Sequence, residues 1–264
     1  MFTLTREVRL AIHPGDAART DPTPGTNGYG GIPAIEGLAF FYTIRVSLVG
    51  DLDRQSSYVR NIKEIDDRVR SLAVPALKAL INAGRFTFAS AMDALSQQLT
   101  GAWPGARVTR IALSTSPHQT ISIEPSEPKM IRLSQQFEFA AAHRLHNPDL
   151  DDATNRATFG KCNNPHGHGH NYQVEVTLLG TPDASGTLMP VSRFEQIVEQ
   201  HAISLLDHKF LNIEVEAFKT LNPSVENIAK VIYQMLNPHL KTDHCALASV
   251  TVWETPKTYA EYAE

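Results

Sequence analysis

Five of the eleven histidines of this 264-residue chain, His143, His146, His166, His168 and His170, fall in one 28-residue stretch where even scatter would place about one. Imidazole is the commonest metal ligand, and residues two apart in a β-strand project from the same face, so His168 and His170 can present two imidazoles to one ion. His143 closes the run Phe137 to His143 with the parity of Phe137 and Phe139, and from a neighbouring strand it supplies a third. Three neutral imidazoles with no fourth protein ligand are the donor set of a catalytic zinc ion, which keeps one position open to water or substrate. By spacing alone His166 and His168 serve equally well as the strand pair. A histidine taken singly is more often a surface or hydrogen-bonded residue, but three at this spacing beside a strand-end fourth favour metal.

The strands that must carry these groups are legible as alternation. Tyr172, Val174, Val176 and Leu178 share one face of a long strand ending at Gly180, and Tyr42, Ile44, Val46 and Leu48 share the face of its counterpart 130 residues earlier, ending at Gly50. Around this match each half repeats one order: an opening strand (Val8 to His13; Phe137 to His143), the long strand, two helices and a closing strand. The helices are expected from Tyr58 to Leu72 and from Ser90 to Leu99 in the first half. In the second, one begins at the capping box Ser192-x-x-Glu195 and carries Phe194, Ile197, Val198 and Leu205, and the other starts at Ser224. Glu124-Pro125-Ser126-Glu127-Pro128-Lys129 reads as a polar linker. The expected fold is α+β: two tandem units, 1–124 and 131–264 joined by 125–130, each a four-stranded antiparallel sheet with two helices on one face.

Composition narrows the function. Twenty-four Lys and Arg against 28 Asp and Glu give a net charge of -4, without the basic excess a nucleic-acid binder uses to gather phosphates. The most apolar stretch, near Leu38 to Gly50, is interrupted by Arg45 and is too polar for a membrane span. Two cysteines, Cys162 and Cys245, make no disulfide framework, and with no signal-like amino terminus the expected setting is the cytoplasm.

The run Cys162-x5-His168-x-His170-Asn171-Tyr172, after a strand ending Ala142-His143-Arg144-Leu145-His146, resembles the 6-pyruvoyltetrahydropterin synthase family, of the tunnelling or T-fold class, over residues 131–264. The resemblance implies that both units are T-folds and that His143, His168 and His170 are the zinc ligands. It implies that Cys162 is the catalytic thiol, Asp207 and His208 its acid/base partners, and Glu254 the pterin anchor, with Glu226 in a block near the pterin. The chemistry is consistent with each role. A thiolate needs a lowered pKa, which zinc and basic side chains provide; a carboxylate orients and stabilises an imidazole; and Glu254, following the strand of Val250 and Val252, can accept two donors of an aminopyrimidinone edge. The chain departs from the family's pattern at Val225, where a hydroxyl residue is usual.

In the first half the same alignment retains His13 but places Leu38 and Phe40 opposite His168 and His170, and Ile32 opposite Cys162. Ala76 and Leu77 fall opposite Asp207 and His208, Met92 opposite Glu226 and Thr115 opposite Glu254. That half therefore has no catalytic metal set and reads as a structural copy; its Pro- and Gly-rich segment Asp21 to Gly31 is open to two readings, a reach toward a neighbouring site or, the commoner outcome for such a loop, a disordered surface segment. The activity implied by the resemblance is zinc-dependent conversion of 7,8-dihydroneopterin triphosphate to 6-pyruvoyltetrahydropterin and triphosphate, in a homo-oligomer with sites at unit interfaces. The rival enzymes are a 6-carboxytetrahydropterin synthase and a dihydroneopterin side-chain-cleaving relative, and the rival of another class is a non-catalytic pterin-binding scaffold.

Overall fold

The structure, a computed structural model, describes residues 1–14, 38–101 and 103–264, so the expectations placed on Asp21 to Gly31 and on Ile32 lie outside the described residues. The chain forms two compact units, Met1–Leu133 with Gly180–Leu188, and Ser134–Leu179 with Met189–Glu264.

In the first unit β1 (Phe2–Ile12), β2 (Phe40–Gly50), β3 (Ala106–Ser116) and β4 (Gln119–Ile123) pair antiparallel in chain order. Alternation buries Val8, Leu10, Ile12, Tyr42, Ile44, Val46 and Leu48 on one face. That face is covered by α1 (Ile62–Arg68), which runs through a π-helical turn (Val69–Ala73) into α2 (Val74–Asn82), and by α3 (Phe88–Leu99). Arg6 ties β1 to α1 by two bonds of 2.7 Å to Asp66. Capping chemistry sets the helix starts apart from the expected ones. Asn61 caps α1, so the helix begins at Ile62 rather than Tyr58, and Thr87 caps α3, so Ser90 is the third residue of a capping box instead of its start. Residues 125–130 fold as two successive turns, closed by Glu127 N–H to the Glu124 carbonyl and Met130 N–H to the Glu127 carbonyl.

The second unit orders its sheet β5 (Ile131–His143), β6 (His168–Gly180), β8 (Cys245–Thr255), β9 (Thr258–Tyr262). A two-residue strand, β7 (Lys209–Phe210), adds to β5 in parallel, a departure from the purely four-stranded antiparallel sheet. The short α4 (Asp152–Phe159) and a 3-10 turn (Gly160–Asn163) lead into β6. Helix α5 (Val191–Val198) continues through a π turn (Glu199–Ile203) into α6 (Ser204–Leu206); α7 (Leu211–Glu214) and α8 (Val225–Leu236) follow. The expected capping box at Ser192 is absent: α5 starts from Pro190 with no side-chain cap, and Glu195 accepts from Gln135 Nε2 instead. Leu205, expected on the buried face, is 51% exposed, because the π turn inserts an extra residue and rotates the following stretch so that Ala202, Ile203 and Leu206 point inward.

The two π turns lie 130 residues apart, as do the strand-end glycines Gly50 and Gly180, and the irregularities of the β3–β4 and β8–β9 hairpins, at Ser114/Ser116 and Trp253/Thr255, lie 139 apart. Counted from the two π turns, Leu77 and Lys78 stand at the distances of Asp207 and His208, and counted from the N-caps Thr87 and Ser224, Ala89 stands at that of Glu226. No helix among the described residues is long and apolar enough to cross a membrane.

Candidate metal centre and active site

His143, the last residue of β5, has no exposed side-chain surface. Its Nδ1 lies 2.7 Å from the carbonyl oxygen of Pro223. A carbonyl only accepts, so the proton sits on Nδ1 and the Nε2 lone pair points the other way, the tautomer a metal ligand needs. Nε2 of His168, the first residue of β6, stands 3.1 Å from it. The two-residue strand period puts His170 on the same face, its ring 5.1 Å from that of His143, and its buried Nε2 has no hydrogen-bond partner. Glu254, near the end of β8, brings Oε1 to 3.2 Å from His143 Nε2 and 3.5 Å from His170 Nε2. Donor atoms of these four residues lie within 4.8 Å of one another. Burial and the neighbouring imidazoles hold His143 down to about 4, although the Pro223 carbonyl works in the opposite direction, and burial lowers His168 as well. Imidazole nitrogens that converge with a carboxylate, one of them buried and unpaired, fit a bound cation.

His166 lies outside the cluster, so of the two pairs that spacing allowed the fold brings together His168 and His170. Cys162 sits in the 3-10 turn before β6, where its carbonyl accepts the Leu145 N–H at 2.8 Å, so the turn is tied to the segment following His143. Burial, and then the Glu254 carboxylate, push its thiol up. The expected lowering by basic side chains is therefore not supplied by the chain; only a cation in the cluster would oppose Glu254. Asp207 and His208 form a dyad with Nδ1 to Oδ2 at 2.7 Å. The second oxygen of Asp207 accepts the Ala140 N–H at 2.9 Å, and these two contacts hold the carboxyl below its usual range. His208 adopts a positive φ of 56° while its N–H bonds the Ala140 carbonyl, a turn that leaves the ring 84% exposed in a depression shared with His170, Gly169 and Phe210. No hydrogen bond or ion pair joins Cys162 to this dyad. Glu226 is exposed in the first turn of α8 and is not among the clustered groups.

Three parts of the site escaped sequence reasoning. The Pro223 carbonyl that orients His143 carries no side-chain signature. The amide of Asn163 bonds the Leu145 carbonyl at 2.8 Å and His146 Nδ1 at 3.1 Å. Tyr172, fully buried, forms a wall beside His170 with its ring 5.5 Å away; its hydroxyl has no partner, and burial raises its pKa. The Asn163 and Tyr172 signals were present as Cys-Asn-Asn and His-Asn-Tyr, but only the fold says what these residues touch.

Among the described residues of the first unit no such cluster forms. His13 bonds the Leu38 carbonyl through Nδ1 at 3.2 Å, and Phe40, Tyr42 and Phe86 make an aromatic stack in place of imidazoles.

The family model described as 6-pyruvoyl tetrahydropterin synthase matches residues 132–264, the part of the chain that contains the cluster. The chain is similar to 6-pyruvoyl tetrahydrobiopterin synthase of Drosophila melanogaster, 39% identical over 138 residues, which span 52% of this chain and 82% of that protein. The Homo sapiens protein of the same name is 38% identical over 132 residues, 50% of this chain and 90% of that protein. A solved structure of Caenorhabditis elegans 6-pyruvoyl tetrahydropterin synthase superposes with a TM-score of 0.48 at 36% identity, over 51% of this chain and 96% of that one. A family match over half the residues, together with relatives aligned over most of their own length, means that the chain belongs to the 6-pyruvoyl tetrahydropterin synthase family.

Proposed function

We propose that the chain is a zinc-dependent carbon–oxygen lyase that converts 7,8-dihydroneopterin triphosphate to 6-pyruvoyltetrahydropterin and expels triphosphate. The observation that carries this reading is the convergence of His143, His168 and His170 next to Cys162 and Glu254. The three imidazoles would hold the zinc, which when bound polarises the oxygens of the substrate side chain. Glu254 accepts the N–H edge of the pterin, and Glu226 borders that end of the site. Cys162 moves the proton on the side-chain carbon, and His208, oriented by the carboxylate of Asp207, serves the second proton exchange. The same reading makes the protein a homo-oligomer with sites at unit interfaces.

The first unit is a degenerate copy of the second, so the chain is a tandem T-fold with boundaries near 1–124 and 131–264. The matched π turns, strand-end glycines and hairpin irregularities support this. Leu38 and Phe40 at the ligand positions assign that unit a structural role. Mass identification of the product formed from dihydroneopterin triphosphate by the zinc-loaded protein tests the activity. The expected product is 6-pyruvoyltetrahydropterin; a 6-carboxy or side-chain-free pterin overturns the assignment, and no product at all returns the chain to a binding role.

A further inference from the structure

We propose that a cavity of about 530 Å³ at the end of β5, lined by Arg144, His146 and Lys219, binds the triphosphate chain of the substrate. The inference rests on the activity proposed above and gives that site a second recognition element.

Position is the first argument. Arg144 directly follows the ligand His143, His146 stands three residues after it, and Asn222, also in the cavity wall, directly precedes Pro223, whose carbonyl orients His143. Cavity and metal centre therefore draw on the same two chain segments, 143–146 and 222–223.

Charge is the second. Three side chains capable of carrying positive charge line the cavity and no carboxylate does. Lys219 is partly neutralised by Glu216, 2.6 Å from its Nζ, and His146 Nδ1 accepts from the Asn163 amide, so most of the attraction falls to Arg144. On the metal side stands the Glu254 carboxylate, which repels phosphate. A polyanion attached to a pterin held at Glu254 is therefore driven toward the basic cavity.

The third argument is preorganisation. Asn212 accepts the Arg144 N–H at 2.8 Å and donates to the Arg144 carbonyl at 3.0 Å, while Asn222 accepts the His146 N–H at 3.2 Å. The backbone carrying Arg144 and His146 is thus fixed before any ligand arrives. Arg144 Nε donates to the Asn163 carbonyl at 3.2 Å, which sets the plane of the guanidinium and leaves its two terminal nitrogens without a protein acceptor among the described residues. A planar fork held in this way matches two phosphate oxygens, and a lysine does not reproduce it.

The test uses the full-length zinc-loaded protein, with inorganic triphosphate as probe and phosphate-free dihydroneopterin as control. Wild-type protein is expected to bind triphosphate with an affinity that falls steeply with salt. Arg144→Lys should weaken it about tenfold, the scale of one charge-assisted hydrogen bond, and the exposed Lys219→Gln by about two- to threefold. Dihydroneopterin affinity and zinc content should stay at wild-type values, and the KM for dihydroneopterin triphosphate should rise. Lys219→Gln lies on the surface and keeps the test valid if Arg144→Lys loses its zinc. Equal triphosphate affinity in wild type and both variants overturns the cavity assignment even where turnover is normal. Triphosphate binding that depends on both residues in a protein without turnover keeps the cavity and overturns the activity instead.

Discussion

Replacing Glu254 by Gln separates the two roles that its position permits. Its Oε1 is 3.2 Å from His143 Nε2 and 3.5 Å from His170 Nε2, close enough to be read as a fourth ligand, whereas the proposed function makes it the acceptor for the pterin edge. The side chain is only 17% exposed, so a mismatch there is poorly compensated by water. Glutamine keeps the shape but turns one acceptor oxygen into an N–H donor facing the pterin's own donors. A buried polar mismatch costs about 1–3 kcal/mol, which corresponds to roughly a 5- to 150-fold loss of pterin affinity. Fluorescence titration with dihydroneopterin measures that loss, and elemental analysis of the same samples measures zinc. The expected result is weakened pterin binding with one zinc per chain retained, while His170→Ala loses the metal. Loss of zinc in Glu254→Gln equal to that in His170→Ala, or unchanged pterin affinity, would refute the anchor role.

Cys162→Ala should retain zinc and pterin binding while lowering turnover by roughly a hundredfold or more, the scale of a lost proton-transfer group; wild-type turnover would remove the thiol from the chemistry. Asp207 offers a test by pH. Its folded pKa is depressed by the Ala140 N–H and by His208, so its charge stabilises the fold above the ordinary carboxylate value near 4, and that contribution disappears as pH falls through the lower folded value. Urea midpoints of wild type and Asp207→Asn should therefore differ by a constant amount above about pH 5 and converge in more acid solution; a gap that widens on acidification would contradict the assigned direction.

The sequence by itself determined the local facts. Alternation fixes which face of β2 and of β6 is buried, because successive residues of a strand face opposite ways, and that same period placed His168 and His170 together. The histidine cluster was legible because its residue type is rare and its spacing matches a strand. Helix continuation was less so. A π turn has no residue signature and depends on packing, so the outward rotation of Leu205 could not be read from helical spacing. The start of α5 was missed for a related reason, since Pro190 began the helix where a serine box was expected. Only the tertiary structure set the Pro223 carbonyl behind His143, brought His170 rather than His166 into the cluster, and placed the Glu254 carboxylate against the imidazoles. Contacts between residues dozens of positions apart depend on how strands and helices pack, and a backbone carbonyl looks the same at every residue, so neither leaves a local trace in the sequence.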